Sequence, residues 1–311
     1  MGFDRLSVEF LLHEHRHRAI AGKLLTIGRQ TIGFTPQDII ALIKATGTQL
    51  RADAVSKLDE RTVHEHSDRG YISDEGFFSL FSSATLAALD VTDYEGAEYI
   101  HDMGLPVPPS LESQFDFIVN GSCLDNIFDP ATAIKNVSRM LKPGGRAFHF
   151  EWGNSHASAY LKYSPDWFMD YYAINNFADC KVYVINFPNS IDVSMDGTIR
   201  PGHVQRSPYS VEAWLFDPIV TYGGQVGYEC SFLDVFTRYF VLVVAEKGED
   251  SLSDVSPVQK HYRGDPAAHA PYITAAQRFA ASPRSIFSNG RPVPLVTSIS
   301  PYPVLRCVAV W

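Results

Sequence analysis

Short apolar runs alternate with amphipathic stretches along the first half of the chain. Residues 23–28 (KLLTIG) form a compact apolar run followed by a turn signal, which predicts a buried strand. Thr35, Pro36 and Asp38 then open a helix. Thr35 can accept from an early backbone N–H, Pro36 suits the first helical position, and Asp38 favours the positive helix end. Ile39, Leu42 and Ile43 supply the apolar face, and Gly47 is a natural stop. Residues 85–91 (TLAALDV) predict a second buried strand, 98–102 (EYIHD) a third and 115–120 (FDFIVN) a fourth.

Asp129 and Pro130 start a well-marked helix. Its apolar face is Ala133, Ile134, Val137, Met140 and Leu141, and Lys142-Pro143-Gly144-Gly145 ends it. Residues 146–151 (RAFHFE) form a fifth strand, and 181–187 and 237–245 form later ones. Residues 48–83 are less regular, with a polar stretch at 64–70 and a short helix around Phe77, Phe78, Leu80 and Phe81. Strands alternating with helices predict an α/β fold, a Rossmann-like, doubly wound, mostly parallel sheet of seven strands. Residues 1–247 form that domain, with an insertion at about 187–236. Residues 248–311 form a C-terminal extension that is not an independent domain. It begins with a linker (248–256), holds a short helix near 275–281 and ends in a Pro-rich tail.

Composition narrows the function. The 311 residues carry 26 Lys+Arg against 35 Asp+Glu, a net charge of −9. With no basic run to neutralise phosphates, nucleic acid is not expected as the main partner. The longest strongly apolar stretch, 239–245, is far short of the ~20 residues that span a bilayer, so no membrane partner is expected. The four cysteines are scattered without a CxxC pair, so neither a zinc site nor a disulfide framework is predicted. A cytoplasmic location is expected, since the N-terminus lacks the pattern of a signal peptide.

The block FDFIVNGSCLDNIFDPATAIKNVSRMLKPGGRAFHFEW (115–152) resembles class I S-adenosylmethionine-dependent methyltransferases. The segment ALDVTDYEGAEYIHDMGLPVP (88–108) fits their second and third strands, each closing on an acid. The resemblance covers about residues 20–185 and the strand near 237–245. It implies S-adenosyl-L-methionine as cofactor, with Asp90 on the ribose hydroxyls and Asp102 on the adenine amino group. Asn120, Gly121 and Ser122 would line the reactive end. Strand ends near a switch point are where open α/β sheets bind ligands. Read singly, Asp90 and Asp102 are better taken as solvated strand-end carboxylates; read together, in this order and spacing, they favour the cofactor roles.

The first motif departs from the family, which follows its first strand with a glycine-rich turn. Here the chain reads Thr26-Ile27-Gly28-Arg29-Gln30-Thr31-Ile32-Gly33, and Gly28 is the main match. Either cofactor binding has been lost, or the methionine moiety is held differently, with Arg29 pairing its carboxylate. The same loop has P-loop glycine spacing but Phe34 in place of the lysine, so an NTPase is not expected.

His13-Glu14-His15-Arg16-His17 spells HExxH, yet it is crowded with charge and lacks a nameable third ligand. It reads as a solvated histidine-rich face, and no metal is expected. Arg263-Gly264-Asp265 reads as a chance tripeptide. After the fifth strand, seven aromatics crowd residues 152–172. Trp167, Phe168, Tyr171 and Tyr172 read as one helix face, which leaves Trp152 and Tyr160 as substrate-binding candidates. Methyl transfer needs mainly alignment, and an alcohol acceptor gains from a base. His156, Glu151 and Asp125 are the candidates for it.

The expected activity is therefore S-adenosylmethionine-dependent methyl transfer to a small-molecule or glycan acceptor at oxygen. The alternative is a non-catalytic binding or scaffold protein of the same fold. The insertion and tail are the places for a substrate lid or a homo-oligomer contact.

Overall fold

The computed structural model describes residues 2–52, 54, 70–154, 159–186, 212–230, 239–282 and, as backbone, 305–310. The chain opens with β1 (Gly2–Phe3) and α1 (Arg5–His17). Asp4 caps α1, accepting from the Ser7 N–H at 2.9 Å and so satisfying one of the helix's orphan donors. Strand β2 (Lys23–Ile27) is followed by β3 (Thr31–Ile32), which pairs in parallel with β1. Helix α2 (Pro36–Ala45) begins as its residues dictate, with Thr35 Oγ1 accepting from the Asp38 N–H at 3.3 Å. Gly47, at φ 73°, takes the left-handed conformation that ends it.

Ser73 caps α3 (Asp74–Ser79), and β4 (Thr85–Asp90), β5 (Tyr99–Ile100) and β6 (Phe115–Gly121) follow. Asp129 caps α4 (Pro130–Met140). Strand β7 (Leu141–Trp152) absorbs the Lys142–Gly145 turn as an irregular start, its register against β6 shifting between Phe115 and Phe117. Next come α5 (Pro165–Ile174), β8 (Asp179–Asn186), β9 (Glu212–Phe216) and the hairpin β10 (Ile219–Tyr222) with β11 (Gln225–Tyr228). Strand β12 (Tyr239–Glu246), α6 (Pro266–Ala281) and β13 (Leu305–Val310) complete the described residues.

The main sheet runs β5-β4-β2-β6-β7-β12-β8-β9-β13. The first five strands are parallel and follow the 3-2-1-4-5 order of a doubly wound fold. Strand β12 is antiparallel to both β7 and β8. The seven expected strands are thus present in a Rossmann-like sheet, and two more extend it. Helices cover both faces. The core on one side includes Ile134 and Val137 of α4, Phe168 and Tyr172 of α5 and Phe279 of α6. On the other it includes Phe10 and Leu11 of α1, Ile39 and Ile43 of α2 and Phe77 and Phe78 of α3.

Three local readings are corrected, and the 187–236 stretch adds a strand to the sheet. The stretch at 187–236 includes β9, a strand of the main sheet whose Ala213 and Phe216 are buried against β8. Helix α1 is no solvated face: Glu14 is fully buried and pairs with Arg146 at the carboxyl side of the 142–145 turn. Residues 248–256 are not a free linker, because Asn175 of the α5 end binds the backbone of Val255 at both N–H and C=O. The short helix near 275–281 is a sixteen-residue helix that runs through Pro271.

The RGD tripeptide has a structural use. The Arg263 side chain is fully buried, pairs with Asp170 of α5 at 2.5 Å and lies 3.4 Å over the Tyr272 ring. Tyr228 donates to the same carboxylate at 2.6 Å. These contacts tie the β10–β11 hairpin, the 258–263 segment and α6 to α5, a combination of charge pairing and cation–π contact in a desolvated setting.

Candidate functional site

The carboxyl ends of β2, β4, β6 and β7 converge at the point where the strand order reverses, the usual ligand crevice of such sheets. Gly28 ends β2 at φ 70°, and its N–H donates to Leu89 O at 2.7 Å. A side chain there would meet the Asp90 carboxylate at 3.4 Å, so the bare backbone of Gly28 and the half-buried Asp90 face each other. Asp102, beyond β5, is exposed and accepts from the Gly104 N–H at 2.8 Å.

Arg29 is engaged within the protein. It donates to Glu98 at 2.6 Å and to the Gly96 carbonyl at 3.0 Å, and it lies 3.6 Å from Asp74. The departure from a glycine-rich turn has a second effect. Gln30 is buried, its amide donating to Ile27 O and Gly28 O, and its Oε1 points at Gly121 without a hydrogen-bond partner. Phe3, brought in by the β1–β3 pairing, lies on the other side, 2.7 Å from where a Gly121 side chain would begin. Gln30 and Phe3 therefore press on the end of β6, and neither carries a signal in the sequence that marks it for this place.

Asn120 is the hub behind the crevice. Its Oδ1 accepts from the N–H groups of Cys123 at 3.0 Å and Leu124 at 3.3 Å. That fixes the amide, so Nδ2 must face Glu151 Oε1 and His149 Nδ1. His149 Nδ1 then has to accept, and its proton sits on Nε2, 2.6 Å from the Tyr172 hydroxyl. Burial holds His149 neutral, lowering its pKa to about 3.

Ser122 adopts the left-handed conformation at φ 63° and donates to Asp125 at 2.7 Å. Asp125 is buried and also receives Asn126 Nδ2 at 2.6 Å. Burial pushes Glu151 well above the usual carboxyl range and the charge on Asp125 adds to this, against the hydrogen bonds from Asn120 and the backbone. Burial, then the charges of Glu151, Asp90 and Asp125, push the Cys123 thiol up.

Of the substrate candidates, Trp152 is half-buried against Phe240, with ring centroids 4.0 Å apart, and packs on the core. Tyr160 is 74% exposed and meets Phe128, which is 91% exposed, edge to face at 6.4 Å. The Leu161 N–H, bonded to Asp125 O at 3.1 Å, anchors this rim above Asp125. Phe128 is a further candidate, hidden in sequence because it precedes a helix cap in a loop. Phe168, Tyr171 and Tyr172 are buried on α5. His156 lies outside the described residues. Among the described residues, no group of three or more His, Cys, Asp or Glu could hold a metal ion, and no helix is long and apolar enough to cross a membrane.

Residues 86–149 match the family described as methyltransferase domain, about a fifth of the chain. The match spans β4 to β7 and includes Asp90, Asp102, Asn120, Gly121, Ser122 and Asp125. It bears out the resemblance to class I methyltransferases and supports S-adenosyl-L-methionine as the cofactor. No curated protein sequence matches the chain. Among solved structures, the CMeT domain of the citrinin polyketide synthase is 14% identical, with TM-score 0.28, over 49% of this chain and 35% of its own. A Haemonchus contortus phosphoethanolamine N-methyltransferase 2, bound to phosphomonomethylethanolamine and S-adenosylhomocysteine, is 11% identical, with TM-score 0.37, over 78% and 52%. An S-adenosylmethionine-dependent methyltransferase from Thermotoga maritima is 15% identical, with TM-score 0.30, over 76% and 92%. The chain thus spans about a third to a half of the first two, and these likenesses assign no residue a role.

Proposed function

With a methyltransferase domain at residues 86–149 as the premise, we propose that this chain is an S-adenosylmethionine-dependent methyltransferase acting at oxygen on a small-molecule or glycan acceptor. The observation that carries this reading is the placing of Asp90 against Gly28 at the ends of adjacent strands, next to the point where strand order reverses. The residues fit the nucleoside half of the cofactor. Gly28 offers backbone without a side chain, Asp90 a half-buried carboxylate for ribose hydroxyls, and exposed Asp102 an acceptor for the adenine amino group. Gly121 and Ser122 would stand at the reactive end, and Asn120 shapes that turn from behind. Arg29, already paired, holds the loop rather than a ligand.

Bound there, the cofactor supplies an electrophilic methyl group. The protein has to align an acceptor oxygen and take its proton. Asp125 is the base in this reading, oriented by Ser122 and Asn126, with Tyr160 forming the acceptor rim and Trp152 its floor. His156 is the alternative base. We also propose that residues 1–247 are the catalytic domain and 248–311 an extension of it.

One observation favours a scaffold without cofactor: Gln30 and Phe3 fill the space over Gly121. Calorimetry with S-adenosylhomocysteine separates the two. Micromolar binding, weakened at least tenfold by Asp90→Ala, is expected, and no heat at millimolar ligand overturns the enzyme.

A further inference from the structure

The Asn120 network leaves one atom unaccounted for. Glu151 Oε1 accepts from Asn120 Nδ2 and from the Leu124 N–H, the latter at 3.1 Å. Glu151 Oε2 is buried and has no hydrogen-bond partner among the described residues. Among the described residues, the titratable groups around this carboxyl are Asp125, Cys123, Tyr163 and His149, and none of these four is a cation. Asp125 receives two donors, Ser122 Oγ and Asn126 Nδ2, which suit an ionised carboxylate. A second ionised carboxylate beside it would leave a bare, buried, negatively charged oxygen with no donor to offset its lost hydration. A proton on Oε2 removes that charge, and Oε1 keeps both of its donors. It also turns Oε2 into an unused hydrogen-bond donor.

We propose that Glu151 serves the site as a neutral carboxylic acid, donating from Oε2 to an uncharged oxygen of the acceptor beside the one that reacts, and is not the base. This deepens the methyltransferase reading and rests on it. The two carboxyls then divide the work. Asp125 takes the proton of the reacting hydroxyl, and Glu151 holds a neighbouring hydroxyl, ether or carbonyl oxygen that fixes the acceptor's orientation. The pair selects the substrate class. An acceptor phosphate or carboxylate would lie against Asp90 and Asp125, while the charge of Arg29 is already taken by Glu98 and Asp74. An uncharged molecule with two adjacent oxygens fits both carboxyls. The Phe128–Tyr160 rim offers an aromatic surface of the kind on which sugar and other neutral rings stack.

Infrared difference spectra of wild type against Glu151→Gln test the protonation state directly. A protonated carboxyl band in the wild type at neutral pH, lost in the variant, is expected; ionised carboxylate bands alone overturn the proposal. Ligand-observed NMR on protein loaded with S-adenosylhomocysteine tests the donor. Methyl α-glucoside should bind at least about tenfold more tightly than glucose 1-phosphate. Glu151→Ala should weaken that binding by about tenfold, and Glu151→Gln, which keeps a donor, by no more than about threefold. Equal or tighter binding of the phosphate, or a Gln variant as weak as the Ala variant, overturns the assignment. If S-adenosylhomocysteine itself does not bind, the methyltransferase reading fails, while the infrared band still reports the state of Glu151.

Discussion

Arg29 donates to Glu98 across 2.6 Å, and this pair joins the loop after β2 to the start of β5. The second carboxylate oxygen of Glu98 accepts from the Ala88 N–H at 2.6 Å, so one side chain links three segments of the crevice wall. Arg29→Ala should therefore destabilise the protein by about 1–2 kcal/mol by removing the pair with Glu98 and the guanidinium 3.6 Å from the buried Asp74. Affinity for S-adenosylhomocysteine should change less than threefold once the variant is measured well below its melting temperature. Urea unfolding with calorimetry checks both, and a loss of affinity without a loss of stability would return Arg29 to the ligand.

Gly121 has to remain glycine. A methyl group there would clash with Gln30 Oε1 and lie 2.7 Å from Phe3. Gly121→Ala should cost about 1–3 kcal/mol through overpacking. The double variant Gly121→Ala/Gln30→Ala should recover part of that, because the flexible amide is the first obstacle. Thermal melts of the three variants measure the coupling.

Stability should depend on pH from two opposed groups. His149 stays neutral in the folded protein down to about pH 3, whereas the unfolded chain takes up a proton near 6.5. Its effect is therefore absent above pH 6.5, and stability falls as pH drops from there toward 3. Glu151 works in the other direction. Its folded pKa is raised, so its contribution is complete below the unfolded value of 4.5 and is lost as pH rises through the folded one. Urea titrations across pH should show His149→Gln flattening the acid side and Glu151→Gln the alkaline side.

The buried pair Glu14–Arg146 excludes the reading of HExxH as a metal motif, because the residue that would be the base is bound to a guanidinium. Glu14→Gln should destabilise by about 3–5 kcal/mol, since it strands a buried charge. Metal analysis of the purified protein should find no stoichiometric zinc. Zinc in equal amount to protein would contradict this arrangement.

Where the sequence was legible, the signals were local. Apolar runs closing on Asp90 and Asp102, and the caps Thr35 and Asp129, located strands and helices to within a residue or two. Asn120 could be placed at the strand end, but the inward work of its side chain depends on partners 29 and 31 residues away in sequence. Gln30 and Phe3 are joined by the β1–β3 pairing, which two-residue strands cannot announce. Helix α1 looked polar because the partner of Glu14 lies 132 residues downstream. Helix α6 runs on through Pro271, a usual helix breaker, because the Asp265 cap and buried Tyr272, Ala275, Ala276 and Phe279 outweigh one missing hydrogen bond.

The insertion of β12 between β7 and β8 bears on how the chain is made. Both neighbours leave the ribosome well before the strand that separates them, since β8 ends at Asn186 and β12 begins at Tyr239. Until then β7 and β8 each carry an unpaired edge rich in apolar side chains, the kind of surface that recruits other nascent chains. Products ending before residue 239 should collect in inclusion bodies, and full-length yield should respond to chaperone supply and to slower synthesis.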